Sequence, residues 1–255
     1  MALSTVSFKI AAVQASPVYL DREATIAKAC DFIAMAGGEG AQLIVFPEAF
    51  IPTYPGWIWH LAPGHAGDMV SALYAELLDQ AVTIPSDATD RLCEAAHQAG
   101  AYVAIGMNER NAEASNGSLY NTLLYIDADG QILGKHRKMV PTGPERLIWA
   151  QGDGSTLSVY DTPFGKISGL ICFENYMPLA RYALYAWAQR FTLPRPLPGV
   201  RTGSQLSVIS RRRGGSSLLD AELSSERAIF RIDMPSSKPI SRISMSGLTS
   251  ATVRF

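Results

Sequence analysis

Short apolar runs alternate with stretches of helical period along most of this chain. Residues 8–13 form an apolar run that predicts a buried strand, ending at Gln14-Ala-Ser-Pro17. Residues 21–36 place Ile26, Ala29, Cys30 and Ile33 on one helical face, and Gly37-Gly38 stops that helix. Leu43-Ile-Val-Phe46 is the next strand, closed by Pro47. Residues 51–67, with Pro52, Pro55, Gly56, Pro63 and Gly64 around Tyr54, Trp57 and Trp59, predict a long surface segment of the kind that lines pockets. A helix over 69–81 follows. Ser86-Asp-Ala-Thr-Asp opens another, with Leu92, Cys93, Ala95 and Ala96 inward and Gly100 at its end.

Tyr102-Val-Ala-Ile-Gly106 reads as a strand. Residues 119–126 and 131–134 flank Asp127-Ala-Asp-Gly130, a hairpin signal, and residues 157–160 and 167–171 bracket Pro163-Phe-Gly165 as a second. Pro178 suits the first turn of a helix carrying Leu179, Tyr182, Ala183 and Trp187. Strands alternating with helices, then hairpins, predict an α/β fold with helix-covered sheets. The sequence holds no internal repeat and no glycine loop that would cradle a phosphate.

Composition narrows the setting. A formal net charge of -1 over 255 residues gives no pull toward nucleic acid or acidic membranes. Cys30, Cys93 and Cys172 are three widely spaced cysteines, unsuited to a disulfide framework or a zinc site, and a reducing cytoplasm is the simplest setting. His60, His65, His97 and His136 show no metal spacing, and His97 reads as a surface residue of a helix. The first residues lack a basic start and a long apolar run, and no segment reaches the roughly 18 apolar residues that span a bilayer.

Cys172 is the residue around which chemistry can be built. It lies between the end of a buried run and the start of a helix, where unpaired backbone N–H groups and a helix dipole favour thiolate over thiol. A cysteine nucleophile needs a base for its proton and a cation for the charge that develops on the substrate. Glu48, at a strand exit, and Lys138 could supply these. Each has a plainer reading: Cys172 as a small buried hydrophobe, Glu48 as a helix cap or arginine partner, Lys138 as part of a solvated basic face, Glu145 as the partner of Arg146 or Lys138.

Their order is more specific than any one of them. Phe46-Pro47-Glu48-Ala49-Phe50, then Gly134-Lys135-His136-Arg137-Lys138 with Pro141-Thr142 and Glu145-Arg146, then Cys172-Phe173-Glu174-Asn175 resembles the nitrilase branch of the carbon-nitrogen hydrolase family. The resemblance spans about residues 7–187. It implies a four-layer α-β-β-α sandwich, incomplete at its C-terminus, and a catalytic set of Glu48, Lys138 and Cys172 assisted by Glu145. Phe173, Glu174, Trp57 and Tyr54 are then expected at the substrate pocket. Family amidases typically carry aspartate two places after the cysteine, whereas Glu174-Asn175 is similar to nitrilases; Phe173 departs from the usual tryptophan. The implied substrate is a small organic nitrile, with no metal or organic cofactor, no nucleic acid and no membrane partner. Cyanide hydration or hydrolysis and amide hydrolysis are rivals within the class. The helix after Cys172, with Tyr182, Tyr185 and Trp187, resembles the family's subunit contact and implies a homo-oligomer.

After Trp187 the pattern changes. Residues 1–187 hold 11 Lys+Arg against 19 Asp+Glu (-8) and all of the Tyr, Trp, His and Cys; residues 188–255 hold 11 against 4 (+7), with 13 Ser. A disordered basic tail on a non-catalytic remnant is one reading. Another comes from codons regrouped by one base. From Gln205 to Ala221 this frame permits Thr-Leu-Arg-His-Ile-Ala-Lys-Glu-Gly-Arg-Val-Phe-Val-Ile-Gly-Cys, a helix entering a buried strand. From Ala228 to Lys238 it permits Asp-Ile-Pro-Asp-Arg-Tyr-Ala-Phe-Lys-Glu. Both resemble what nitrilases carry after the cysteine. The sequence therefore divides into a hydrolase region, 1–187, and a Ser/Arg-rich, out-of-frame and poorly ordered tail, 188–255, whose reading slipped near Ala188. Activity is expected to depend on the displaced C-terminal third.

Overall fold

In the first strand, β1 (Ile10–Gln14), alternate residues enter two different cores. Ala11 and Val13 pack with Ile26, Ala29 and Ile33 of helix α1 (Arg22–Gly38) and with Leu92 and Ala96 of α3 (Asp87–Ala99), while Ile10 and Ala12 join Leu43, Val45, Phe164, Ile167 and Ile171. This two-residue alternation puts helices on one face of the sheet and a second sheet on the other, so a one-residue slip in register would exchange the two cores. The computed structural model describes residues 8–61, 63–190, 205–213, 216–222 and 232–233.

The first sheet runs β10-β1-β2-β3-β4-β5, with β2 at Leu43–Val45, β3 at Tyr102–Arg110, β4 at Leu119–Ile126, β5 at Ile132–Arg137 and β10 at Ile232–Asp233. Its β10-β1-β2-β3 pairs are parallel and β3-β4-β5 antiparallel. The second runs β6-β7-β8-β9, from Tyr160–Thr162, Gly165–Gly169, Gln205–Arg213 and Ser216–Glu222. Helix α4 (Pro178–Arg190) forms the outer layer beside it, burying Ala180 and Leu184 against Leu170, just past β7. Helices, sheet, sheet and helix make the four-layer α-β-β-α sandwich.

The caps follow the sequence. Asp21 accepts from the Ala24 amide at 2.9 Å to start α1, and Gly100, at φ 59°, ends α3 in the left-handed conformation that glycine tolerates. Helix α2 starts earlier than its apolar spacing predicts, at Pro63, and ends at Asp79, with a non-helical Ala66 breaking its first turn. Residues 51–67 are less of a surface segment than their prolines and glycines predict. Ile51 and Ile58 are buried, because Asn108 of β3 donates its side-chain amide to Ile51 O (3.1 Å) and Thr53 O (2.8 Å) and draws the segment onto the sheet. Cys93 and Ala95 are only partly buried at the margin of the core.

Within the tail, the backbone of β8 pairs in parallel with β7, β9 pairs antiparallel with β8, and β10 pairs with β1. For residues 191–204, 214–215, 223–231 and 234–255 the expectation of a poorly ordered tail lies outside the described residues.

Candidate active site

Strand β2 ends at Val45, and the chain turns at once through Phe46-Pro47-Glu48. Ala49 takes a positive φ of 47°, and the turn presses onto β3 at Gly106, where an added Cβ would lie 2.3 Å from the Pro47 carbonyl oxygen. Only a residue without a side chain allows this approach, so Gly106 sets the position of Glu48. Lys138 follows β5 directly and continues its ladder, its amide donating to Asn121 O at 2.8 Å. Glu145 lies on a short 3-10 turn, Gly143–Leu147, with its Oε2 accepting from the Thr142 amide at 2.8 Å.

These two turns and the strand end meet at one ammonium. Lys138 Nζ donates to Glu48 Oε1 at 2.9 Å and to Glu145 Oε2 at 2.8 Å, and all three side chains are buried. Trp149 offers its ring at 5.8 Å from Nζ, within cation–π range. Tyr54 donates its hydroxyl to Glu145 Oε1 at 2.6 Å and accepts from Trp59 Nε1 at 2.8 Å. Burial opposes the charge on Lys138, yet Glu48 and Glu145 outweigh it and hold the amine above its ordinary value. Burial, reinforced by Glu145, raises the Glu48 carboxyl despite Lys138.

Cys172 opens a second 3-10 turn, Cys172–Tyr176, immediately beyond the second sheet. Its φ of 56° lies in the left-handed region, which costs a non-glycine residue about 1–3 kcal/mol and persists only where surroundings enforce it. Asn175 supplies part of that enforcement, donating its side-chain amide to Leu170 O and Cys172 O, both at 3.0 Å. The thiol is half-buried, and the charges of Glu48, Lys138 and Glu145 all act on it.

The electrostatics correct one expectation. Burial, then the Glu48 charge, pushes the Cys172 thiol up to about 12, and the opposing pull of Lys138 and the local backbone N–H does not offset them. Two carboxylates and one ammonium leave this corner with an excess of negative charge, so the resting sulfur keeps its proton. A strand-to-helix turn alone predicts the opposite, because it cannot register which charges other elements bring.

The structure separates the expected pocket residues. Tyr54 joins the cluster through Glu145. Trp57 packs, partly buried, in the cluster of Ile58, Leu77 and Trp149. Phe173 is exposed and tilts against Tyr176. Glu174 is 1% exposed, bonded to His136 Nε2 and to the amides of Met139 and Ile171. Only a carboxylate folded back onto its own turn can meet those donors.

Asn121 is a residue of this cluster that motif reading misses. Its Nδ2 donates to Glu48 Oε1 at 2.7 Å, and the residue is 1% exposed within the apolar strand β4. A polar side chain in such a strand must find a partner, which is the signal that could have singled it out. Asn121 and Glu48 line a small cavity with Phe46, Gly106, Leu170 and Ile171. Among the described residues, no group of three or more His, Cys, Asp or Glu could hold a metal ion, and no helix is long and apolar enough to cross a membrane.

The chain is similar to known proteins in sequence and in fold. An aliphatic nitrilase of Sinorhizobium fredii (strain HH103) is 46% identical over 179 residues, covering 70% of this chain and 56% of the relative. A bifunctional nitrilase/nitrile hydratase of Nicotiana tabacum is 44% identical over 184 residues, covering 72% and 52%. The chain spans about half the length of the curated relatives it matches. Among solved structures, an amidase from Nesterenkonia sp. superposes with a TM-score of 0.57 at 19% identity, covering 87% of this chain and 84% of that one. Saccharomyces cerevisiae Nit3, of the nitrilase superfamily, gives 0.55 at 23% identity, covering 74% and 62%. With residues 9–214 matching the carbon-nitrogen hydrolase pattern, on this sandwich and around this cluster, the chain belongs to the carbon-nitrogen hydrolase family.

Proposed function

We propose that this site cleaves the carbon–nitrogen triple bond of a small organic nitrile, giving carboxylic acid and ammonia. The observation that carries the reading is a buried ammonium, bonded to two carboxylates, whose combined field acts on one thiol held at a left-handed strand exit. The chemistry follows from the charges. Because the thiol rests protonated, Glu48 takes its proton as sulfur bonds to the nitrile carbon, and the negative nitrogen that forms is met by Lys138. The raised Glu48 carboxyl is suited to accept and return a proton. Protonation of nitrogen gives a thioimidate. Water, losing a proton through Glu48 to the nitrogen, then adds to the same carbon. As the tetrahedral adduct collapses, its hydroxyl proton passes to the nitrogen by the same carboxylate, the C–N bond breaks, and ammonia departs to leave a thioester. A second water cleaves the thioester, releasing acid and restoring the thiol. The steps draw on no metal or organic cofactor. Glu145, tied to Tyr54 and the Thr142 amide, holds Lys138 or assists proton transfer.

Two further readings accompany it. Leu179, Tyr182 and Tyr185 are exposed on α4 beside Phe173 and Tyr176, which fits a contact with a second copy of the chain; the three free cysteines fit a reducing, cytoplasmic setting. Translation slipped by one base near Ala188, and the activity belongs to the chain with its frame restored. Relatives at 44–49% identity align over 172–184 residues, a length comparable to residues 7–187. The gene's nucleotide sequence decides this, since codons that cannot spell the two regrouped strings end the idea.

The test is incubation of the 255-residue and frame-restored chains with a small aliphatic nitrile, a matching amide and cyanide. Intact mass reports an adduct at Cys172, and acid, amide, formamide and ammonia are measured together. Ammonia and acid in equal amounts from the nitrile are expected. Amide as sole substrate redirects the reading to an amidase, and no product with no adduct in either chain refutes it.

A further inference from the structure

Glu174 uses both carboxylate oxygens across two separate segments. Its Oε1 accepts from the Met139 amide at 2.6 Å, and its Oε2 accepts from the Ile171 amide at 2.7 Å and meets His136 Nε2 at 3.0 Å. Met139 follows Lys138, and Ile171 precedes Cys172. One fully buried carboxylate therefore joins the backbone beside the ammonium to the backbone beside the thiol. Ordinary capping of a short turn explains the Ile171 contact, three residues away, but not the contact with Met139, 35 residues away.

His136 braces this bridge. It lies two residues before Lys138 on β5, is buried, and has Nδ1 3.4 Å from Thr156 Oγ1, which also accepts from the Arg137 amide at 3.0 Å. A carboxylate offers only acceptors, so Nε2 carries the proton and Nδ1 takes the threonine hydroxyl. Thr156, His136 and Glu174 thus form a directed chain of hydrogen bonds that ends where the Cys172 and Lys138 segments meet.

We propose that Glu174 is a positioning residue: its carboxylate fixes the placement of Cys172 relative to Lys138, with His136 holding it in register. The inference rests on the proposed roles of those two residues. It also accounts for the length of the side chain. An aspartate lacks the methylene needed to reach both amides from one backbone position. A glutamine has one acceptor oxygen; satisfying Ile171 and His136 with it turns its NH2 toward the Met139 N–H, donor against donor.

The test is Glu174→Gln in the full chain, read three ways. Hydrogen exchange at the Met139 amide should accelerate at least tenfold while the Thr142 amide, held by Glu145, is unchanged. Iodoacetamide should modify Cys172 at least fivefold faster, because the strained turn relaxes, with Cys93 in the same molecule unaltered. For nitrile hydrolysis, kcat should fall at least tenfold with KM within threefold. Unchanged exchange at Met139, or equal acceleration at Cys93 and Cys172, overturns the proposal. No nitrile turnover by either the 255-residue or the frame-restored wild-type chain would sink the proposed activity and leave the first two readouts to decide the bridge. Should Glu174→Gln not fold, His136→Leu, which leaves both backbone tethers, predicts the same exchange and alkylation pattern at two- to threefold amplitude; its absence is equally fatal.

Discussion

Replacing Lys138 by Met keeps the unbranched apolar stem, one atom shorter, and removes the buried charge between Glu48 and Glu145. Those carboxylates are 7% and 2% exposed, so water cannot take over for the lost ammonium. At least one must then hold a proton in the folded state. For a carboxyl with an ordinary value of 4.5, staying protonated at pH 7 costs roughly 2.5 pKa units, or about 3.4 kcal/mol. At pH 5 the same step costs about 0.7 kcal/mol. The sign follows from proton counting: a folded-state value raised above 4.5 means that the folded protein binds more protons than the unfolded chain, so stability falls as pH rises above 4.5. Wild-type Lys138 has its value raised above 10.5, so its contribution is fully present over this range and is lost only at higher pH. Urea unfolding followed by tryptophan fluorescence, at pH 5 and pH 7, measures the difference between the two proteins. The destabilisation should grow between those values by at most about 2–3 kcal/mol, less the part that the raised Glu48 carboxyl already contributes in the wild type. A loss equal at both, within about 0.5 kcal/mol, would refute the account of a charge-compensated cluster.

Three other substitutions probe the same corner. Glu48→Gln removes the charge that most raises the thiol after burial, so alkylation of Cys172 at pH 8 should quicken at least fivefold while nitrile turnover disappears; slower alkylation contradicts the sign assigned here. Gly106→Ala forces the Pro47-Glu48 turn away from β3, and a stability loss of about 1–3 kcal/mol with turnover down at least tenfold is expected; wild-type values in both assays would show that the turn can yield. Glu145→Gln leaves Lys138 with one carboxylate and should lower turnover at least tenfold. Wild-type turnover would remove Glu145 from the mechanism.

Much of this architecture was legible because its causes are local. Strands β1 and β2 and the hairpin at Asp127-Ala-Asp-Gly130 follow from apolar runs and turn residues, and α1 and α3 from helical spacing and their caps. Glu48, Lys138 and Cys172 could be named because three motifs in order resemble the carbon-nitrogen hydrolase family; of the three, only Glu48 and Cys172 also stood where a predicted strand ends. What a residue touches was less accessible. Asn108 draws 51–67 inward, Asn121 supports Glu48, and Glu174 takes the Met139 amide, each through partners far along the chain.

The chain's own order of residues determined the α/β plan and the helix ends, since propensity, capping and periodicity act within a few neighbours; the candidate catalytic groups came from motifs that resemble a known family. Only the tertiary structure decided the protonation of the thiol and the direction of Glu174. Those depend on burial and on charges carried by two turns and a strand end, and Coulomb energy in a buried corner is set by distances in space, which no spacing along the sequence encodes.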